Sequence, residues 1–348
     1  MISDTENKIQ RLQGPLLVLG ASGFIGANLF RRLLQYRTDV YGTTSRLSPW
    51  RLEGLPQTNI IVTDLIVEYN LIKLLDMVEP RTVFDCVAYG AYSFQKETSL
   101  MYRTNVNFKV KLIEELLKRN VVRYIHAGSS SEYGDNASGP CESVALTPNS
   151  HYAVTKAAVS GLIYFAGKKQ HFPCANLRFY SVYGPFEDAS RLIPKIISAG
   201  IKGVYPPFVD PDISRDFVYV IDACDAFIDA ALNLKEENYG ESFNIGTGDR
   251  TTIADIARLT KEIFGIKAAP VFAMTNREWD VAEWYSNPDK ARNDIGWSSH
   301  TTLREGLANT IEWYKSLENP EQYHKSSKNF GIDEVGGECT GRVYSEDI

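Results

Sequence analysis

Leu16-Leu17-Val18-Leu19-Gly20-Ala21-Ser22-Gly23-Phe24-Ile25-Gly26 passes from a short apolar run through a glycine triplet into an amphipathic stretch that continues to Tyr36. A second short run follows at Asp39-Val40-Tyr41-Gly42. Strand, helix and strand thus fit within about thirty residues, the size of one βαβ unit. In that context Gly20 permits a tight turn, Gly23 lets backbone approach an anion, and Gly26 allows close packing of helix on strand. The helix N-terminus then aims its free amides at negative charge. Gly20, Ser22, Gly23, Phe24, Ile25 and Gly26 therefore read as a phosphate-binding turn, against the alternative of a plain βα turn.

The alternation continues outward from this unit. Ile60-Ile61-Val62, Thr82–Val87, Val121–Ala127 and Cys174–Phe179 are strand-like, and Leu65–Val78, Met101–Arg119 and Tyr152–Lys169 are helical. Nearly continuous apolar strands between amphipathic helices predict an α/β fold, a doubly wound parallel sheet covered on both faces. From about Pro185 the rhythm changes, with Pro194, Pro206, Pro207 and Pro211 punctuating short elements. Strand-like pieces recur at Asp216–Val220 and Ser242–Ile245, and helical ones at Ile253–Phe264 and Leu303–Leu317. The expected organisation is a nucleotide-binding domain over 15–185 with later segments interleaved, a smaller C-terminal α/β substrate-binding lobe over 186–317, and a loosely ordered tail over 318–348.

Composition narrows the class. Across 348 residues, 37 Lys+Arg stand against 43 Asp+Glu, a formal charge of −6 with no basic run, which argues against a nucleic-acid partner. A hydrophobic fraction of 44% with 23% charged residues is globular, not disordered. No apolar run approaches the roughly 18–20 residues of a membrane span, and the polar N-terminus does not read as a secretory signal. Cys86, Cys141, Cys174, Cys224 and Cys339 are scattered and never spaced as CxxC. They read as reduced thiols of a cytoplasmic protein, with no metal site.

About twenty residues past the turn, where a carboxylate would hold an adenosine ribose 2′-hydroxyl, the chain reads Gly42-Thr43-Thr44-Ser45-Arg46. Hydroxyls on Thr43 and Ser45 with the forked guanidinium of Arg46 suit a 2′-phosphate, so among NAD(P) cofactors NADP is favoured over NAD. The alternative is a solvated loop arginine. Asp64, before Leu65, is placed to accept an adenine amino group or to cap the following helix.

Tyr152-Ala153-Val154-Thr155-Lys156 opens a helix and sets Tyr152 and Lys156 four residues apart on one face. A nearby ammonium favours phenolate and draws a tyrosine towards the working pH. Upstream, His126-Ala127-Gly128-Ser129-Ser130-Ser131-Glu132-Tyr133-Gly134 ends a strand, where ligands sit in open parallel sheets. A serine there can share a substrate oxygen with Tyr152. Taken alone, a Tyr and a Lys at this spacing are common surface residues.

With these segments together, the chain resembles the extended short-chain dehydrogenases/reductases, in their nucleotide-sugar epimerase/dehydratase branch, over roughly 15–317. Thr104-Asn105-Val106-Asn107 is similar to the family's asparagine-bearing helix, and Leu177-Arg178-Phe179-Tyr180-Ser181-Val182-Tyr183-Gly184-Pro185 to its LRxxNxYGP segment. Arg215-Asp216-Phe217-Val218-Tyr219-Val220, Phe243-Asn244-Ile245-Gly246, Arg277-Glu278-Trp279-Asp280 and Ile295-Gly296-Trp297 resemble RDFxxV, xNIG, RxxD and LGW. The resemblance implies a Rossmann-like fold and a catalytic set of Ser129, Tyr152 and Lys156. Tyr152 would remove a sugar hydroxyl proton as hydride passes to the nicotinamide, Lys156 would bind its ribose, and Ser129 would complete the relay. Val87, Ala88, Tyr89, Asn105, Tyr180 and Val182 would line the cofactor with Tyr152 and Lys156. Tyr92, Ser129, Ser130, Ser131, Ser181, Arg191, Leu192 and Asp280 would meet the substrate, with Arg215 and Arg277 clamping a nucleotide diphosphate. The plainer role for those two arginines is surface pairing with Asp216 or Asp280, and for Tyr89 and Tyr92 simple packing. His126 and His151 flank the site and read as packing or hydrogen-bonded residues.

Departures from the family pattern sharpen the expectation. The family's sugar dehydratases carry acids in the two positions after the relay serine; here these are Ser130 and Ser131, with Glu132 one place later. On a strand, one place turns a side chain to the other face. Ser181 stands where asparagine is usual. A 4-epimerase and a 4-keto-sugar reductase are therefore expected ahead of a 4,6-dehydratase. A non-catalytic NAD(P)-binding redox sensor or scaffold is the rival from another class. The resemblance also implies a homodimer formed through Met101–Arg119 and Tyr152–Lys169.

Overall fold

The fold is seen in a computed structural model that describes residues 4–92, 94–275 and 281–328, apart from the side chains of 326–328. In chain order the first elements are α1 (Asp4–Arg11), β1 (Leu16–Leu19), α2 (Phe24–Leu34), β2 (Val40–Thr44), β3 (Ile60–Val62), α3 (Glu68–Val78), β4 (Thr82–Asp85), α4 (Thr98–Tyr102), α5 (Phe108–Leu117), β5 (Arg123–Ser129), α6 (His151–Gln170) and β6 (Cys174–Phe179). Then come β7 (Ser181–Tyr183), α7 (Leu192–Ile201), β8 (Ser214–Arg215), β9 (Phe217–Tyr219), α8 (Val220–Asn233), β10 (Ser242–Ile245), β11 (Thr251–Thr252), α9 (Ile253–Phe264), α10 (Asp289–Asp294), α11 (Leu303–Lys315) and α12 (Pro320–Lys328).

Seven parallel strands form one sheet in the order β10-β6-β5-β4-β1-β2-β3. Strand order reverses at β1, which pairs with both β2 and β4; ligands bind beyond the carboxyl ends of the strands at such a point. The two-residue period of β1 divides the core. Leu16 and Val18 pack with Phe30, Ile125, Leu177 and Phe227 on the face covered by α2 and α8. Leu17 and Leu19 pack with Leu71, Leu112, Val159 and Ile163 under α3, α5 and α6. A third cluster, including Ile193, Ile197, Phe208, Ile256, Leu307 and Ile311, gathers beneath α7, α9 and α11. No helix among the described residues is long and apolar enough to cross a membrane.

Three expectations are corrected. The helix read as Met101–Arg119 starts at Thr98 and widens into a π turn at Arg103–Asn107, between α4 and α5. Such a turn inserts a residue into the helical register and is frequent at functional sites. The strand read as Asp216–Val220 narrows to β9, because Val220 already opens α8 and Asp216 is buried ahead of it, accepting from Thr247, Gly248 and Ser286. The polar N-terminal segment, for which the sequence made no prediction, forms α1, which buries Ile9 with Leu12 just beyond it and pairs Lys8 with Asp229 at 2.8 Å. The loose tail from 318 begins instead with α12. Tyr323 is buried there against Trp50, Trp313 and Tyr314, and its hydroxyl donates to the Glu187 carbonyl at 2.8 Å. Residues 329–348 lie outside the described residues.

Candidate active site

The glycine turn is built by close approach. Gly20 sits at φ +75°, and a Cβ on Gly26 would lie 2.3 Å from the Gly20 carbonyl oxygen. Gly23 caps α2 with no side-chain bond, and the first turn of α2 carries no acid. Bare backbone at the positive end of a helix dipole fits a dinucleotide diphosphate. Ser22, Phe24 and Ile25 lie on this turn. Thr43 serves it from β2, its Oγ1 accepting from Gly20 N at 3.0 Å, so its hydroxyl is committed to backbone. Ser45 is exposed and Arg46 half-buried at the rim beyond. Asp64 does not cap α3, whose N-cap is Val67; its Oδ1 accepts from Ile66 N at 3.0 Å, a local turn that leaves Leu65 buried.

β5 ends at Ser129 beside α6. The Ser150 hydroxyl caps α6 by accepting from Ala153 N at 3.2 Å, which fixes the helical register in which Tyr152 and Lys156 stand one turn apart. Ser129 stands beside the Tyr152 phenol, near enough to favour its ionised form. Ser129 Oγ accepts from Ser131 N at 3.2 Å and Ser131 Oγ at 2.8 Å. Burial pushes the Tyr152 phenol up to about 12, against the neighbouring Ser129 and the positive charge of Arg191. The expected lowering by Lys156 is absent here, because that ammonium is drawn beneath β5. Its Nζ donates to the Ala127 carbonyl at 2.6 Å and stands 3.5 Å from His126 Nε2.

Glu132, by contrast, points into the core. Its Oε1 accepts from Ser129 N at 3.0 Å; its Oε2 accepts from Arg178 Nε at 2.7 Å and from the Ser160 hydroxyl. The Ser130 hydroxyl accepts from the Trp284 indole at 2.9 Å. Neither of the two positions after Ser129 carries an acid.

Around this centre the structure gathers some expected residues and sets others to different work. The Arg191 guanidinium lies 5.2 Å over the Tyr92 ring, and Tyr92 stacks on Phe94 at 5.3 Å. Val87, Ala88 and Tyr89 follow closely on β4. The Asn105 side chain is buried and braces them, bonding Tyr89 N at 2.8 Å, Tyr89 O at 2.7 Å and Thr155 Oγ1 at 3.0 Å, so its polar atoms face protein and not the cleft. The Tyr180 hydroxyl is buried without a hydrogen-bond partner among the described residues; Val182 and Ser181 lie half-buried on β7. Leu192 packs against the third core cluster, an apolar role. Arg215 donates to the carbonyls of Ser214 at 2.6 Å and Val281 at 3.0 Å and lies 5.3 Å from the Trp284 ring. Arg277 and Asp280 fall outside the described residues. His151 is exposed beside Tyr102, 3.4 Å from its hydroxyl.

Sequence reasoning missed Trp284, Glu132–Arg178 and a buried group of Asp85, Lys109 and Tyr124. The signal was present: a lone acid within Thr82-Val83-Phe84-Asp85-Cys86-Val87 and a lone lysine on the buried face of α5 must be paired if both are inside.

These features define a Rossmann-like domain with a bare phosphate turn and a serine–tyrosine pair at the carboxyl end of its central strands. The chain belongs to the NAD dependent epimerase/dehydratase family, whose model matches residues 16–246. It is 26% identical over 328 residues to a trifunctional UDP-glucose 4,6-dehydratase/UDP-4-keto-6-deoxy-D-glucose 3,5-epimerase/UDP-4-keto-L-rhamnose-reductase of Arabidopsis thaliana, covering 88% of this chain and 47% of that one. The chain thus spans about half the length of that relative. It is 28% identical over 313 residues to an uncharacterized UDP-glucose epimerase of Bacillus subtilis, covering 87% and 98% of the two chains. The structure of a UDP-glucose 4-epimerase with UDP-glucose from Thermotoga maritima matches with TM-score 0.78 and 27% identity, over 86% of this chain and 98% of that one.

Proposed function

We propose that this protein is a nucleotide-sugar 4-epimerase that binds NAD(P) along the glycine turn and a nucleoside-diphosphate sugar in the cleft beside Ser129. The observation that carries the reading is Ser129 at the end of β5 beside Tyr152 of α6 with no acid next to them, since Ser130 and Glu132 are committed elsewhere. Such a site can move one proton at one hydroxyl and lacks groups for eliminating water. The bound nicotinamide would supply a hydride acceptor and donor. Tyr152 would take the proton of the C4 hydroxyl with Ser129 holding the same oxygen, and the pair would return it after the keto sugar turns its other face. Arg191 and Arg215 would hold the substrate from opposite sides, one beside Tyr92 and one on Trp284. The test is incubation with UDP-hexoses and a catalytic amount of NAD or NADP. A C4 epimer without net cofactor consumption supports the reading. Stoichiometric NADPH oxidation of a 4-keto sugar makes it a reductase, and loss of water makes it a dehydratase.

For the cofactor, Arg46 on the rim would read a 2′-phosphate. Arg46→Ala is expected to weaken NADP binding about tenfold or more, the size of one lost charge-assisted contact, and to leave NAD nearly unchanged. Equal losses in fluorescence titrations with the two cofactors would remove Arg46 from that role.

A second copy of the chain is the proposed partner. α6 exposes Val154, Ala158, Gly161, Tyr164 and Phe165, and Tyr164 and Phe165 are more than half exposed at 55% and 56%. An apolar stripe of that kind on a helix surface marks an interaction face. Phe165→Lys is expected to convert a dimer to a monomer in sedimentation velocity; a wild-type monomer at micromolar concentration defeats the proposal.

A further inference from the structure

The ammonium of Lys156 is held from behind by groups that the relay does not use. Asp85, at the end of β4, is completely buried. Its Oδ1 accepts from Lys109 Nζ at 2.6 Å and Val87 N at 3.1 Å, and its Oδ2 from the Tyr124 hydroxyl at 2.8 Å and His126 Nδ1 at 2.9 Å. Four donors fill the carboxylate. Lys109 and His126 hold it ionised well below the usual carboxylate range, although burial alone would raise it. An ionised Asp85 requires His126 to carry its proton on Nδ1, which leaves Nε2 a bare acceptor. That acceptor is the atom 3.5 Å from Lys156 Nζ.

We propose that His126, oriented by Asp85, is a positioning residue for Lys156, its Nε2 lone pair holding the ammonium charged and in place beneath the nicotinamide end of the cleft. The proposal rests on the reading of Lys156 as part of the cofactor site. A purely structural role would need only the Nδ1 side, because satisfying Asp85 makes no use of Nε2. The charges around the pair are accounted for. Burial lowers Lys156, while Asp85 and Cys86 from the β4 end and Glu132 from the turn after β5 raise it. Burial and the charges of Lys156 and Lys109 press His126 down to about 4, against Asp85. His126 is therefore neutral at working pH, and Nε2 can accept. A hydrogen bond to the ammonium favours its charged form, so losing the acceptor lets Lys156 give up its proton at lower pH.

Asparagine and glutamine separate the two sides of the ring, because an asparagine amide replaces Nδ1 and a glutamine amide replaces Nε2. In titrations of NAD and NADP binding against pH, affinity that depends on a charged Lys156 is present at low pH and lost as pH rises. For His126→Asn that loss is expected about one pH unit lower than in the wild type, whereas His126→Gln stays near the wild type. No movement in either variant, or equal movement in both, overturns the proposal. Should both variants fold poorly, histidine NMR on the full chain decides. Lys156→Met is expected to raise the titration of His126 by about one unit, and an unmoved titration overturns the proposal. If His126 and Lys156 prove coupled but no nucleotide-sugar is turned over, the functional reading fails and the coupling stands. If Tyr152-dependent epimerisation is found with uncoupled residues, this inference alone fails.

Discussion

Tyr152→Phe is expected to lower the proposed C4 epimerisation of a nucleoside-diphosphate sugar by about 10³-fold, within the range of a lost general acid–base. The substitution removes one oxygen and keeps the ring. Ser129 retains its bonds from Ser131, and the cap at Ser150 that begins α6 is untouched. Tyr152 stands on α6 while the glycine turn joins β1 to α2, so NAD(P) affinity should stay within a few-fold. Chromatographic separation of the two epimers over time measures the rate, and cofactor titration supplies the control. Retention of a tenth or more of the wild-type rate would show that another group moves the proton. Loss of cofactor binding in parallel would mean that the phenol holds the nicotinamide end and does not act on the sugar.

The second large effect concerns stability. Lys109→Met removes the ammonium 2.6 Å from Asp85, in a site where both side chains are essentially closed to water. Breaking a buried pair from one side leaves an uncompensated charge and costs roughly 3–5 kcal/mol. Urea denaturation followed by circular dichroism should show a midpoint lowered accordingly. Adding Asp85→Asn to Lys109→Met should recover part of the loss, because the orphaned charge is then gone. The pH dependence has a definite sign. The folded Asp85 carboxyl is depressed, so its contribution is full above the ordinary aspartate value near ~4 and is lost as pH falls through and below it. In the double variant that acid-side loss should shrink. An unchanged midpoint for Lys109→Met would mean that His126 and Tyr124 suffice to carry the charge.

Much of the site was legible because its parts are local. The strand–glycine–helix run at 16–26 has only a few ways to fold, and the structure bears this out in the positive φ of Gly20 and the closeness of Gly26 to it. The Tyr152/Lys156 spacing likewise follows from one helical turn, and the acid-free positions at Ser130 and Ser131 could be read by counting. Asn105 and Thr43 were placed near the cofactor by pattern, yet their polar atoms are spent on Tyr89, Thr155 and Gly20. Counting positions locates a residue but does not say which neighbour its side chain reaches.

By itself the sequence determined the doubly wound sheet, the glycine turn between β1 and α2, and the one-turn spacing of Tyr152 and Lys156. Hydrophobic period and glycine spacing record how each segment meets solvent and turns, and both are properties of contiguous residues. Tertiary structure alone decided that Glu132 faces Arg178 across 46 residues, that Asp85 meets Lys109 across 24 and His126 across 41, and that α12 closes over Trp50. Those pairings follow from which strands lie side by side and which helix crosses them. A buried charge in a sequence announces that it needs a partner; only the order of the strands names it.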